Sequence, residues 1–151
     1  MNLRLISAVA LAALLSTTPL AMAVDSGGGS AQVSVSDQLS TARSQIKSKK
    51  WDAAIGTLKL ALDAEPNNAD ANNLMGYSLR KSGNTKRAEG FYLKALKLSP
   101  KHKGANEYLG ELYVEIGQLE KAKQRLEALK GICGTGCEEY KDLKAAIDKA
   151  G

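Results

Sequence analysis

The chain has 151 residues, 44% of them apolar but only 5% aromatic, which is too few aromatics for a β-sandwich and suits a small helical protein. Its formal net charge of +5 is a mild bias, and without basic motifs interleaved with aromatics it gives no reason to expect a nucleic-acid partner. No unbroken apolar run approaches the ~20 residues that a spanning helix needs, so stable membrane insertion is not expected either.

Residues 1–23 have the three parts of a secretory signal: Arg4 near the start, an apolar run from Leu5 to Leu15, and Ala21-Met22-Ala23 as a small-x-small cleavage site. Cleavage is expected after Ala23, releasing a periplasmic or secreted chain whose net charge falls to +4 with the loss of Arg4. No cysteine follows for lipid attachment. Residues 24–36 (VDSGGGSAQVSVS) hold almost no large side chains and are read as a flexible Gly/Ser linker.

From Asp37, read as an N-cap, Leu39, Ala42 and Ile46 fall at i, i+3 and i+7 on one helical face. After a turn at Lys47–Lys50, a second helix opens at Trp51-Asp52 and runs through Ala54, Leu58 and Leu62 until Pro66 stops it. The stretch Ala69–His102 repeats the design, with a turn at Gly83-Asn84 and a stop at Pro100. Gly76 recurs as Gly110, Gly83 as Gly117, Ala88 as Ala54 and Ala122, and Pro100 as Pro66, all at an offset of 34 residues. Helix pairs at a fixed period of this length mean a stacked repeat. The expected repeats are about 37–68, 69–102 and 103–136, and the small residues at 76, 88, 110 and 122 are read as points where the two helices of a pair cross closely. Residues 137–150 place Tyr140, Leu143 and Ile147 on one face, as a capping helix.

These residues resemble the tetratricopeptide repeat family: a small residue (Gly76, Gly110), a large apolar one three later (Leu79, Tyr113), a turn glycine (Gly83, Gly117), an alanine opening the second helix (Ala88, Ala122), an aromatic or leucine four later (Tyr92, Leu126) and a terminal proline (Pro66, Pro100). The first repeat departs from the pattern, because it lacks a turn glycine and alignment of Leu39, Ala42 and Ile46 with the apolar positions requires a turn one residue shorter. The resemblance implies an all-α, right-handed solenoid of three helix pairs plus the cap. It also implies a concave surface lined by the first helices, exposing Asp70, Asn73, Tyr77, Arg80, Gly104, Glu107, Glu111 and Val114. Family members that clamp a chaperone's C-terminal carboxylate use basic third-repeat positions, which here are Gly104 and Tyr108, so that clamp is absent.

On this surface Tyr77 and Arg80 stand one turn apart as an aromatic and a cationic anchor. Glu107, Glu111 and Glu115 form an acidic stripe whose mutual repulsion suggests a basic or amine-bearing partner. The opposite face is basic through Lys86, Arg87, Lys94, Lys97, Lys121, Lys123 and Arg125, a pattern that serves solubility.

The remaining chemistry lies in Cys133-Gly134-Thr135-Gly136-Cys137. Two cysteines this close in an exported chain are expected to pair as a structural disulfide that fixes the cap. A redox role and a soft-metal site for the pair are the alternatives; the C-x-x-C spacing is missing and no His or Met adjoins. The Cys-x-x-x-Cys-Glu-Glu-Tyr ending is similar to exported bacterial members of the family. His102, the sole histidine, lies between two lysines and is read as a solvated linker residue, with no nucleophile placed for it. The reading is a non-catalytic scaffold for a protein or peptide segment, with no cofactor and no metal. A thiol-based redox or metal-handling factor, or an accessory subunit in envelope or cytochrome assembly, are the alternatives.

Overall fold

A computed structural model describes residues 33–151. The signal segment, its cleavage site and most of the linker lie outside the described residues. Those described form seven α-helices: α1 (Val35–Lys47), α2 (Trp51–Ala64), α3 (Ala69–Lys81), α4 (Thr85–Leu98), α5 (Lys103–Glu115), α6 (Leu119–Cys133) and α7 (Glu138–Ala150). Each helix packs on the next, and α1, α3, α5 and α7 also pack on one another in sequence. No such contact joins α2 to α4 or α4 to α6. The odd-numbered helices therefore form a close inner row, and the even-numbered ones an outer row that splays apart. This is an all-α solenoid of three helix pairs closed by a seventh helix. Among the described residues no helix is long and apolar enough to cross a membrane.

The first helix starts earlier than the sequence suggests. Ser34, not Asp37, is the N-cap: its Oγ accepts from the Asp37 amide at 3.1 Å and its hydroxyl donates to Asp37 Oδ2 at 2.6 Å. Asp37, the third helical residue, thus donates its amide to the cap and accepts from the cap's hydroxyl. Ser34 belongs to a periodic set. Asn68 Oδ1 accepts from Ala71 N–H at 2.9 Å and His102 Nδ1 from Ala105 N–H at 3.1 Å, each cap 34 residues after the last. His102 is thus a helix cap, and not the solvated linker residue expected.

The turn in the first pair is not a residue shorter. In all three pairs the same helix-ending motif recurs, with Lys50 N–H donating to Gln45 O, Asn84 to Leu79 O and Gln118 to Tyr113 O. The residue before each donor is left-handed: Lys49 at φ 56°, Gly83 at 88° and Gly117 at 74°. Lys49 adopts a conformation that costs an L-residue about 1–2 kcal/mol, and the repeat length is kept at that cost. In the true register Ala42 takes the place of Gly76 and Gly110, and Leu39 and Ile46 take the places of Asn73 and Arg80.

The core runs along the interface between the rows through Leu58, Leu79, Tyr92, Leu109, Leu112, Leu129 and Leu143. Gly76 is the notch that accepts Tyr92 of its own pair, since a Cβ there would stand 2.7 Å from the ring. Gly110 plays a different part from the one expected: the side chain crowding its Cβ position is Leu143 of α7, with Cδ1 at 2.7 Å. The glycine therefore sets the seat of the seventh helix, which takes the inner-row place of a fourth repeat. Two wholly buried asparagines tie each second-helix exit to the next first helix. Asn72 Nδ2 donates to Pro66 O and Asn68 O, and Asn106 Nδ2 to Pro100 O and His102 O.

The candidate peptide groove and its cap

The inner row carries the predicted site residues, but it does not expose them all. Asp70, on the first turn of α3, accepts from Arg43 of α1 at 3.0 Å and meets His102 Nε2 at 2.9 Å, so one carboxylate links three successive repeats. Asn73, Arg80 and Glu107 are buried, contrary to the expectation that they face solvent. Tyr77, Gly104, Glu111 and Val114 are half-buried. Val114 packs against the core.

Arg80 is not a free cationic anchor. Its guanidinium reaches from α3 to α5, with Nη1 donating to Glu115 at 2.7 Å and Nη2 to Glu111. It also lies 5.6 Å from the Tyr77 ring centre and 5.9 Å from that of Tyr108. The two tyrosine rings meet at 4.8 Å with their planes tilted by 54°, and Trp51 and Tyr92 extend the row at 6.2 and 6.4 Å. The aromatic rings are thus packed on one another and on Arg80 without a ligand. Planar stacking and two-armed donation are both within reach of arginine and not of lysine.

The predicted acidic stripe is divided by this ion pair. Glu111 and Glu115 share the single positive charge of Arg80, whereas Glu107 has no hydrogen-bond or ion-pair partner among the described residues and faces α7. Burial, and then the carboxylates of Glu111, Asp142 and Glu139, push its carboxyl up to about 8, with Arg80 opposing. Tyr108 beside it is pushed up to about 12, by burial first and then by Glu107, Tyr77 and Glu111, again against Arg80. Glu107, Tyr108, Glu138, Glu139 and Asp142 line one small cavity between α5 and α7.

At the turn into α7, Cys133 and Cys137 lie with their sulfurs at bonding distance and their Cα atoms 5.9 Å apart. Glu139 joins them as a third atom of metal-ligating type within 4.8 Å, a neighbour that helical periodicity alone did not reveal. A bond between two sulfurs so placed would tie the end of α6 to the start of α7 and leave no thiolate for a metal. The outer-row basic side chains are exposed except Arg125, which turns inward to Asn106 Oδ1 at 3.4 Å.

Two family models described as tetratricopeptide repeat match residues 39–103 and 79–147, spanning all three helix pairs and most of α7. The chain belongs to the tetratricopeptide repeat family. It is 32% identical over 80 residues to DnaJ protein P58IPK homolog A of Oryza sativa subsp. japonica, an alignment covering 53% of this chain but only 17% of that protein. Among solved structures, the repeat domain is similar to the first TPR of Spaghetti (RPAP3) bound to the HSP90 peptide SRMEEVD, with a TM-score of 0.69 and 20% identity over 77% of this chain and 91% of that one. It is similar to the Yersinia enterocolitica type III secretion chaperone SycD in complex with a peptide of the translocator YopD, at a TM-score of 0.65 and 16% identity over 77% and 88%. The Sgt2 TPR domain from Aspergillus fumigatus gives 0.68 and 19% over 77% and 76%. At such identities the likeness is one of fold.

Proposed function

We propose that this tetratricopeptide repeat protein is a non-catalytic scaffold that takes an extended peptide or protein segment along its inner row. The observation that carries the reading is the packed platform of Tyr77 and Tyr108 around Arg80: aromatic area already held in place loses little side-chain entropy on binding. Asp70, Tyr77, Glu111 and Val114 are the proposed contact residues. Asn73 and Arg80 support them from behind, and Glu107 borders the row on the α7 side. Two of the structural neighbours were solved with peptides bound, which supports a peptide as the ligand class. The peptide SRMEEVD has three acidic residues, and a groove with Gly104, Tyr108 and unpaired carboxylates is poorly suited to that charge. The chain is proposed to act after export, with residues 1–23 removed and Cys133–Cys137 as a structural disulfide.

A phage-displayed peptide library selected on the immobilised chain tests this. Recovered peptides are expected to lose binding to Tyr77→Ala and to keep it on Lys94→Glu of the outer row, both variants being checked for helicity. Peptides indifferent to Tyr77, or a library that yields none above background, would sink the proposal.

A further inference from the structure

The ion pairs within the inner row leave one set of charges unspent. Of the carboxylates between α5 and α7, Glu139 is held by Lys103 at 3.0 Å. Glu107, Glu138 and Asp142 have no ion-pair or hydrogen-bond partner among the described residues. Glu107 is the informative one: it exposes 8% of its surface, lines the cavity, and lacks the partner that a buried polar group ordinarily has. Its carboxyl reaches water only through the cavity, where a cation entering would gain an acceptor that no protein group uses.

The cavity limits what that partner is. Its volume of about 200 Å³ is below the roughly 300–1,000 Å³ of a pocket for a drug-sized ligand, and suits a single side chain. Tyr108 lines it beside the carboxylates, and the lining is predominantly polar and acidic, which favours a cation. A bare metal ion is a poor fit, because the metal-ligating group found among the described residues is Cys133, Cys137 and Glu139, and the four acids of the cavity do not converge within the same 4.8 Å. A guanidinium spreads its donors over a wider span, and an ammonium on its flexible stem can meet the acids one or two at a time.

We propose that the cavity between α5 and α7 is a recognition pocket for the basic side chain, lysine or arginine, of a bound peptide, with Glu107, Glu138 and Asp142 as its acceptors and Tyr108 as its wall. This rests on the peptide-binding reading of the inner row and adds the charge of the ligand and its register, since the pocket fixes where along the row a basic residue must fall. It also gives the seventh helix a function beyond covering apolar surface: α7 contributes Glu138 and Asp142, and the pocket exists only while Leu143 is seated on Gly110. A chain of net charge +5 has no overall attraction for a cationic peptide, so selective binding of one must come from such a local acidic site.

The test is fluorescence anisotropy, at pH 9 where Glu107 carries its charge, of fluorescein-labelled hexalysine with the full purified chain, alongside the same peptide with every lysine acetylated. Hexalysine is expected to bind, the acetylated peptide to bind at least about tenfold more weakly, and Glu107→Gln, Glu138→Gln and Asp142→Asn each to weaken hexalysine by about tenfold, the effect of losing one charged hydrogen bond. Glu127→Gln, on the outer face of α6, is the control and should leave binding within about twofold. Three separate acids keep the test usable where one variant loses helicity. Absence of hexalysine binding, equal weakening by Glu127→Gln, or displacement of the peptide by equimolar calcium would overturn the proposal. Library peptides that need Tyr77 but none of the three acids would overturn it while leaving the groove reading intact. Library peptides indifferent to Tyr77 would end the groove reading whatever hexalysine does.

Discussion

Replacing Glu107 by glutamine removes a titrating group and leaves the side-chain shape almost unchanged. The carboxyl titrates ordinarily at 4.5 and is pushed up to about 8 in the fold by burial, followed by Glu111, Asp142 and Glu139. Between those values the folded chain holds a proton that the unfolded chain has released. Stability is therefore undiminished below the lower value, falls as pH rises through the window, and has lost the whole contribution above about 8. At about 1.4 kcal/mol per pKa unit the displacement sets a ceiling of about 5 kcal/mol. Water at the cavity mouth screens the charge, and about 1–3 kcal/mol is expected in practice. Urea unfolding followed by circular dichroism, at pH 4.5 and pH 9, measures it. Glu107→Gln should match the parent at the lower pH and exceed it by that amount at the higher one. A difference of the same size at both would show that glutamine acts through packing, and would refute the assignment of a protonated, unpartnered carboxyl.

Gly110→Ala should cost about 1–3 kcal/mol in urea unfolding by forcing α7 off its seat, and adding Leu143→Ala should recover part of the binding lost with the pocket without restoring full stability. Lys49→Gly should raise stability by about 1 kcal/mol in the same assay, because glycine is unstrained at the left-handed turn, whereas Lys47→Gly inside α1 should lower it. Reduction of Cys133–Cys137 should lower stability by less than the ~3 kcal/mol expected for a 15-residue loop, and its effect should be local. Amide exchange after mild reductant should quicken in Glu138–Ala150 and stay unchanged in Ala69–Lys81.

The repeat was legible because its determinants are local and recur. Gly83 and Gly117 mark a backbone conformation, Gly76 and Gly110 a close approach, and Pro66 and Pro100 a helix stop, each readable from residue type and spacing alone. The same period contained signals that went unread. Ser34, Asn68 and His102 share one cap position, and Asn72 with Asn106 share one buried tie, although a histidine between two lysines suggested solvent. The first repeat was misaligned because apolar Leu39 and Ile46 were matched to core positions, when the helix-ending bonds put them at the places of Asn73 and Arg80. What the spacing along one helix could not reveal was pairing between helices. Glu111 and Glu115 read along α5 as a repelling stripe, yet Arg80, about 30 residues earlier in the chain, lies between them. The role of Gly110 likewise depended on where α7 lies.

Amide hydrogen exchange of the chain with and without the tightest library peptide tests the central claim most directly. Binding along the inner row predicts new protection in Ala69–Lys81 and Lys103–Glu115, with little change in Thr85–Leu98 and Leu119–Cys133. Protection confined to those two outer helices would contradict it.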